Sequence, residues 1–316
     1  MSEGLAKEVV WLSGHLTFRE VTEVLERVGH LSVSNSQVWR TVQEHGEAIQ
    51  KVVEDQTIEA QGAAPSTGRM GCSADGGMIH IRGEGWKELK IGDIFEVEYR
   101  KEKDAQTGEE MEVGHAVKDS YVAHLGGPEQ FGAMLWKEAK RRGWEKARST
   151  AMVADGASWI WNLAHTHFYD SLQLVDWYHA TEHLSAAAHT LHGDQPEKVR
   201  SWLEKQKTQL YRGHALSIVR TLLDEAEQHP QQAHSLRSEA GYFQNNHRRM
   251  QYMFMREQGW PIGSGMVESG CKQFKHRFAG PGMRWSRQGA ERLIPIRSAI
   301  MSSTFDAVWL RAHSSP

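Results

Sequence analysis

Gly263-Ser264-Gly265-Met266-Val267-Glu268-Ser269-Gly270, continuing through Cys271-Lys272-Gln273-Phe274-Lys275-His276-Arg277, is the stretch that decides how this chain is read. It reads as a short glycine turn that opens a helix. One acid, Glu268, falls in the first turn, and basic and aromatic residues follow. An acid beside a cationic surface suits a metal ligand that works on a phosphate backbone. Acids sharing that metal must then lie far upstream, on strands.

Bulk properties bound the possibilities. The chain has 316 residues and a formal net charge of −3, so any binding of nucleic acid must use a local patch. Residues 237 to 297 hold 11 Lys and Arg against 4 acids, which places that patch around the opening stretch. Two cysteines, Cys72 and Cys271, build no disulfide framework, so a reducing cytoplasm is the expected location. The N-terminal residues lack the apolar core of a signal peptide, and no run reaches the ~18 apolar residues of a membrane span.

Residues 15 to 48 read as two or three short helices, with Val21, Val24, Leu25 and Val28 on one face. Ser34 or Asn35 caps the next helix, whose outer face is polar and includes Arg40. This is a helix-turn-helix-like plan, expected as a DNA-binding domain over 1–58, and equally the plan of a helical hairpin that only packs. The Gly-, Ala- and Pro-rich residues 59–69 read as a linker.

Strands are expected over 71–81, 89–99 and 115–125, the second alternating apolar and polar residues, with a solvated loop over 101–112. A helix over 128–142 follows. The run 149–156 reads as a buried strand ending in Asp155, with a helix at 159–168 and a short strand over 171–176. The order β-β-β-α-β-α-β is the plan of a ribonuclease H-like mixed sheet, its first part spanning 70–179. From 180 to 260 nearly every signal is helical, which reads as a large all-helical insertion. Residues 261–301 then complete the core with the last acid and basic helices, and 302–316 form a tail.

Asp75, Asp155 and Glu268 are thus the candidate ligands. Phosphodiester chemistry at neutral pH needs charge neutralisation on the attacking and leaving oxygens. Two Mg²⁺ ions about 4 Å apart supply it, held by carboxylates from different elements. Each acid alone has a plain alternative. Asp75-Gly76 and Asp155-Gly156 are common turn pairs, and Glu268 favours a helix N-terminus.

Several pieces of the chain resemble DDE transposases of bacterial insertion sequences. They are Ser73-Ala74-Asp75-Gly76, Val153-Ala154-Asp155-Gly156-Ala157, Val175-Asp176-Trp177-Tyr178-His179, Gly263 to Ser269, and Arg284-Trp285-Ser286 with Gly289-Ala290-Glu291. The resemblance is closest to the Kra-type group, related to the Mutator-like superfamily, and spans about 15 to 300. It implies that Asp75, Asp155 and Glu268 are the catalytic, metal-binding triad, with two Mg²⁺, for which Mn²⁺ can substitute. Asp176 and His179 match an accessory Asp-x-x-His element.

The same resemblance implies double-stranded DNA, at element ends and target, as partner. It also implies a homodimer or larger assembly on DNA, and no membrane. Many such relatives are longer at the N-terminus, which implies a shortened end-recognition domain here. Lys272, Lys275, Arg277, Arg284 and Arg287, with Arg40, are the expected phosphate contacts.

Two other classes compete. His179-Ala180-Thr181-Glu182-His183 spells His-x-x-Glu-His, an inverted zinc-protease pattern, in a chain with 18 histidines. A non-enzymatic DNA-binding regulator derived from a transposase needs only the N-terminal helices and the basic patch.

Overall fold

The computed structural model describes residues 1–55, 68–103 and 108–314. The chain is a mixed α/β protein with a five-stranded mixed sheet, strand order β3-β2-β1-β4-β5, and many helices. The strands are β1 (Arg69–Ile81), β2 (Gly85–Lys103), β3 (Glu110–His124), β4 (Ser149–Ala154) and β5 (Leu172–Val175). Contacts divide the chain into two compact units. The first is Met1–Glu96, Lys118–Arg148 and Gly265–Pro316; the second is Val97–Val117 and Ser149–Ser264. Among the described residues, no helix is long and apolar enough to cross a membrane.

The first unit opens with α1 (Glu3–His15), α2 (Phe18–Gly29) and α3 (Asn35–Asp55). Reading the helices from residue 15 overlooks α1, which buries Ala6, Val9 and Val10. Thr17 begins α2 with a capping box: its hydroxyl accepts from Glu20 N, and the Glu20 carboxylate accepts from Thr17 N at 2.7 Å. Val21 and Leu25 pack inward, whereas Val28 on the same stripe is 75% exposed. Ser34 and Gln37 bond reciprocally at the start of α3, so Ser34 rather than Asn35 is the capping residue. Along α3, Val38, Val42 and Ile49 are buried, while Ser36, Gln37, Trp39 and Arg40 face outward.

The linker expected over 59–69 lies outside the described residues up to 67, and Arg69 already belongs to β1. β1 and β2 form an antiparallel hairpin in continuous register, with Asp75 opposite Ile91 and Ser73 opposite Asp93. Successive side chains on a strand point to opposite faces. On one face Ile79, Ile81, Leu89 and Ile91 join a core with residues of α11 (Gly265–Phe278) and α12 (Arg287–Met301). On the other, Gly92 meets Leu135 and Phe131 of α4 (Pro128–Arg141). The middle of β2 is therefore buried on both sides, although its residues alternate apolar and polar along the sequence. Asp93 is caught in it at 0% exposure, and burial, then the Asp119 charge, hold its carboxyl well above the usual range.

β2 continues to Lys103 and β3 begins at Glu110, so the expected solvated loop is shorter, and 104–107 lie outside the described residues. The expected tail includes α13 (Phe305–His313), which buries Phe305, Val308 and Trp309 and packs on α3.

In the second unit β4 and β5 run parallel, with Ala154 beside Val175. α5 (Ser158–His167) links them. The expected helical region is α6 (Trp177–His192), α7 (Pro196–Tyr211), α8 (Ala215–Gln228), α9 (Ala233–Asn246) and α10 (Tyr252–Glu257). α6 packs on α7 and α9, and α8 on α9.

Thr17→Ala is expected to cost about 1 kcal/mol in denaturant unfolding at neutral pH. The bonds from Thr17 hold the Glu20 pKa below its ordinary value of 4.5. The stabilisation is present above that value and is lost as pH falls through the depressed one. The difference between Thr17→Ala and wild type should therefore shrink in unfolding curves taken in acid.

Candidate functional site

Asp75 lies in the middle of β1, half-buried, and its Oδ1 accepts from the Gly76 backbone N–H at 2.6 Å. Alternation places it on the same face as Gly77, Ile79 and Ile81. α11 packs on β1, and a Cβ at Gly77 would come within 3.1 Å of Lys275 Cε. Asp75 thus projects from the β1 face that α11 covers. Val267, Cys271, Phe274 and Phe278 form the buried stripe of that helix. Glu268, next to the stripe in the first turn, has a 55% exposed side chain and accepts from Lys272 Nζ at 2.6 Å.

Asp155 belongs to the second unit, one residue beyond β4. Its Oδ1 accepts from Ala157 N at 2.8 Å. Gly156 follows with φ +102°, a backbone region open to glycine. The candidate triad is therefore divided, with Asp75 and Glu268 in one unit and Asp155 in the other. Among the described residues no three His, Cys, Asp or Glu side chains are gathered as a metal site.

Asp176 sits at the C-terminal end of β5, beside the end of β4, and its N–H donates to Ala154 O at 2.7 Å. The residue is 3% exposed and its carboxylate is fully occupied. Oδ1 accepts from Tyr178 N at 2.6 Å and His179 N at 2.9 Å, capping α6. Oδ2 accepts from Ser264 Oγ at 2.7 Å and from Ser264 N. Trp177 N donates to Ile262 O at 2.9 Å in the same join. A Cβ on Gly263 would meet the Tyr178 ring at 2.9 Å, which explains the glycine. Asp176 is thus an anchor between the β5–α6 junction and the segment leading to α11. His179, named with it, is half-exposed, with Nδ1 3.5 Å from Glu182.

His183, the second histidine of His-x-x-Glu-His, makes contacts within its unit. Its Nδ1 lies 2.6 Å from Glu239 Oε2, and its ring stacks on Tyr242 at 3.5 Å between centroids. This one histidine of the pattern joins α6 to α9. Tyr242, Glu239 and Ser264 were not singled out in the sequence. Ser264 stands in the decisive stretch, but its role depends on Asp176, 88 residues away; Tyr242 and Glu239 carry no motif.

The basic residues differ in what they can reach. Arg40, Lys272, Lys275 and Arg284 are exposed. Arg287 is ion-paired to Glu84 at 2.5 Å and to Glu291 at 3.2 Å, which raises its pKa. Arg277 does not fit the expected phosphate contact. It is 2% exposed and donates from Nε to Ser13 O at 2.7 Å, under the rings of Phe18 and Trp285. Burial lowers its pKa to about 9. The periodicity of α11 puts residue 277 on the inward stripe, and the C-terminal carbonyls of α1 give the cation a partner there.

No protein-family model matches the chain, and no curated protein matches it. Among solved structures the chain is similar to the Drosophila P element transposase strand transfer complex, at 11% identity and a TM-score of 0.35, covering 97% of this chain and 80% of that one.

Asp176→Asn is expected to lower stability by about 2–3 kcal/mol, because an amide cannot accept at both positions; denaturant melts would check it. Arg277→Ala is expected to cost about 2 kcal/mol in the same melts.

Proposed function

We propose that this chain is a DDE-type transposase with a ribonuclease H-like core, cleaving and joining DNA strands at the ends of an insertion sequence. The observation that carries the reading is that Asp75 leaves β1 on the face covered by α11, the helix whose first turn bears Glu268. Two acids remote in sequence are thereby placed on one strand and on the helix packed against it. Asp155, at the C-terminal end of a parallel strand, is the third. The element order β-β-β-α-β-α-β, followed by a helical region ahead of α11, supports the same reading.

The donor set is wholly carboxylate, the chemistry a hard divalent cation selects. Asp75, Asp155 and Glu268 would hold Mg²⁺ or Mn²⁺, which when bound activates a water or 3′-hydroxyl and neutralises the leaving oxygen. The chain's own residues orient these groups. Gly76 N fixes Asp75, Ala157 N fixes Asp155, and Lys272 pairs with Glu268. Lys272, Lys275 and Arg284, with Arg40 on α3, contact phosphates, and Arg287 does so if it leaves Glu84. The working form is a dimer or larger on paired ends, because two ends must be joined.

The test is strand cleavage and transfer on duplex DNA carrying the element's own flanks, with Mg²⁺ or Mn²⁺. Asp75→Ala, Asp155→Ala and Glu268→Ala should each lose at least on the order of a hundredfold while still binding DNA. Wild-type activity in any of the three, or binding indifferent to salt, overturns the proposal.

A further inference from the structure

The chain leaves β4 at Ala154, where pairing with β5 ends, and the next carbonyl is that of Asp155. That carbonyl is held from α9. Tyr242 donates its hydroxyl to Asp155 O at 3.0 Å. A Cβ added at Gly156 would lie 3.1 Å from the Tyr242 ring and 3.2 Å from its hydroxyl, so the fit is close as well as polar. The Tyr242 ring is fixed in turn. It stacks on His183 of α6 with 20° between planes, and meets Phe243 edge-on at 5.4 Å. Glu239, one helical turn before Tyr242, holds His183 Nδ1 at 2.6 Å. Asn246 Nδ2 donates to Tyr242 O at 3.0 Å.

We infer that Tyr242 is a positioning residue for Asp155, kept in place by the stacked His183 and its partner Glu239. The inference rests on the reading of Asp155 as a metal ligand. A tyrosine needed only for packing would not require its hydroxyl to meet this one carbonyl. Outer partners that orient a ligand govern how well it meets its metal, and small displacements of a ligand cost rate. The arrangement also gives His183 a role that needs no zinc. Its ring is a platform, and Glu239 sets the ring's orientation.

The experiment uses the full chain with Tyr242→Phe, His183→Phe and His183→Ala. Three quantities are measured: amide hydrogen exchange at Gly156 and Ala157 without added metal, the Mn²⁺ concentration giving half-maximal cleavage of a flank duplex, and affinity for that duplex. Tyr242→Phe keeps the stack and removes only the hydroxyl. It should speed exchange at Gly156 and Ala157 by about tenfold and raise the Mn²⁺ requirement, with DNA affinity unchanged. His183→Phe, which keeps a stacking ring but loses Glu239, should fall between wild type and Tyr242→Phe, whereas His183→Ala should resemble Tyr242→Phe. Unchanged exchange in Tyr242→Phe overturns the inference, whatever the cleavage result. A wild-type chain that never cleaves sinks the transposase reading instead, and the exchange comparison still decides whether Tyr242 positions Asp155.

Discussion

The buried carboxylate of Asp176 is the constraint on which the second unit depends. An ionised carboxylate removed from water is tolerated only when its oxygens are occupied by donors. Here two backbone N–H groups of α6 take one oxygen, and the Ser264 hydroxyl and N–H take the other. The same bonds that solvate the charge set the start of α6 and tie down the segment 262–264. The glycine at 263 follows from the Tyr178 ring lying against it. What reads along the sequence as a turn opening a helix is also the receiving half of a polar clasp.

Much of the fold could be read from local pattern. β1, α4, β4, α5, β5 and the helical run after Trp177 begin and end within a few residues of where periodicity and punctuation place them. Asp75 within a strand and Asp155 just past one were legible for the same reason. What escaped depends on tertiary partners. α1 carries little amphipathic signal and is recognised by what packs on it. The burial of β2 on both faces needs α4 as well as α11, and no rule about alternation foresees that. The tail from Ser302 reads as amphipathic before it frays, and the partner for its apolar face is α3, which Phe305 and Trp309 meet.

Counting charges along residues 237 to 297 overstated the cationic surface. Arg277 and Arg297 donate to Ser13 and Gly14 carbonyls at the end of α1, inside the first unit. Arg292 is paired with Glu47, and Arg287 with Glu84 and Glu291. Guanidinium groups suit such buried or forked contacts better than ammonium groups do. Of the cations in this region, five are exposed, Arg237 and Arg248 in the second unit and Lys272, Lys275 and Arg284 in the first, so any polyanion meets fewer free charges than composition suggests.

The first unit is drawn from three separated lengths of chain. Val10, Val42 and Ile49, made early, find Leu293, Ile294, Ile296 and Trp309 only when the last part of the message is translated. At roughly 5–20 residues per second, the nascent chain carries uncovered apolar helices for many seconds. The order of synthesis therefore leaves the faces of α1 and α3 without their core partners until the segment after residue 264 has been made.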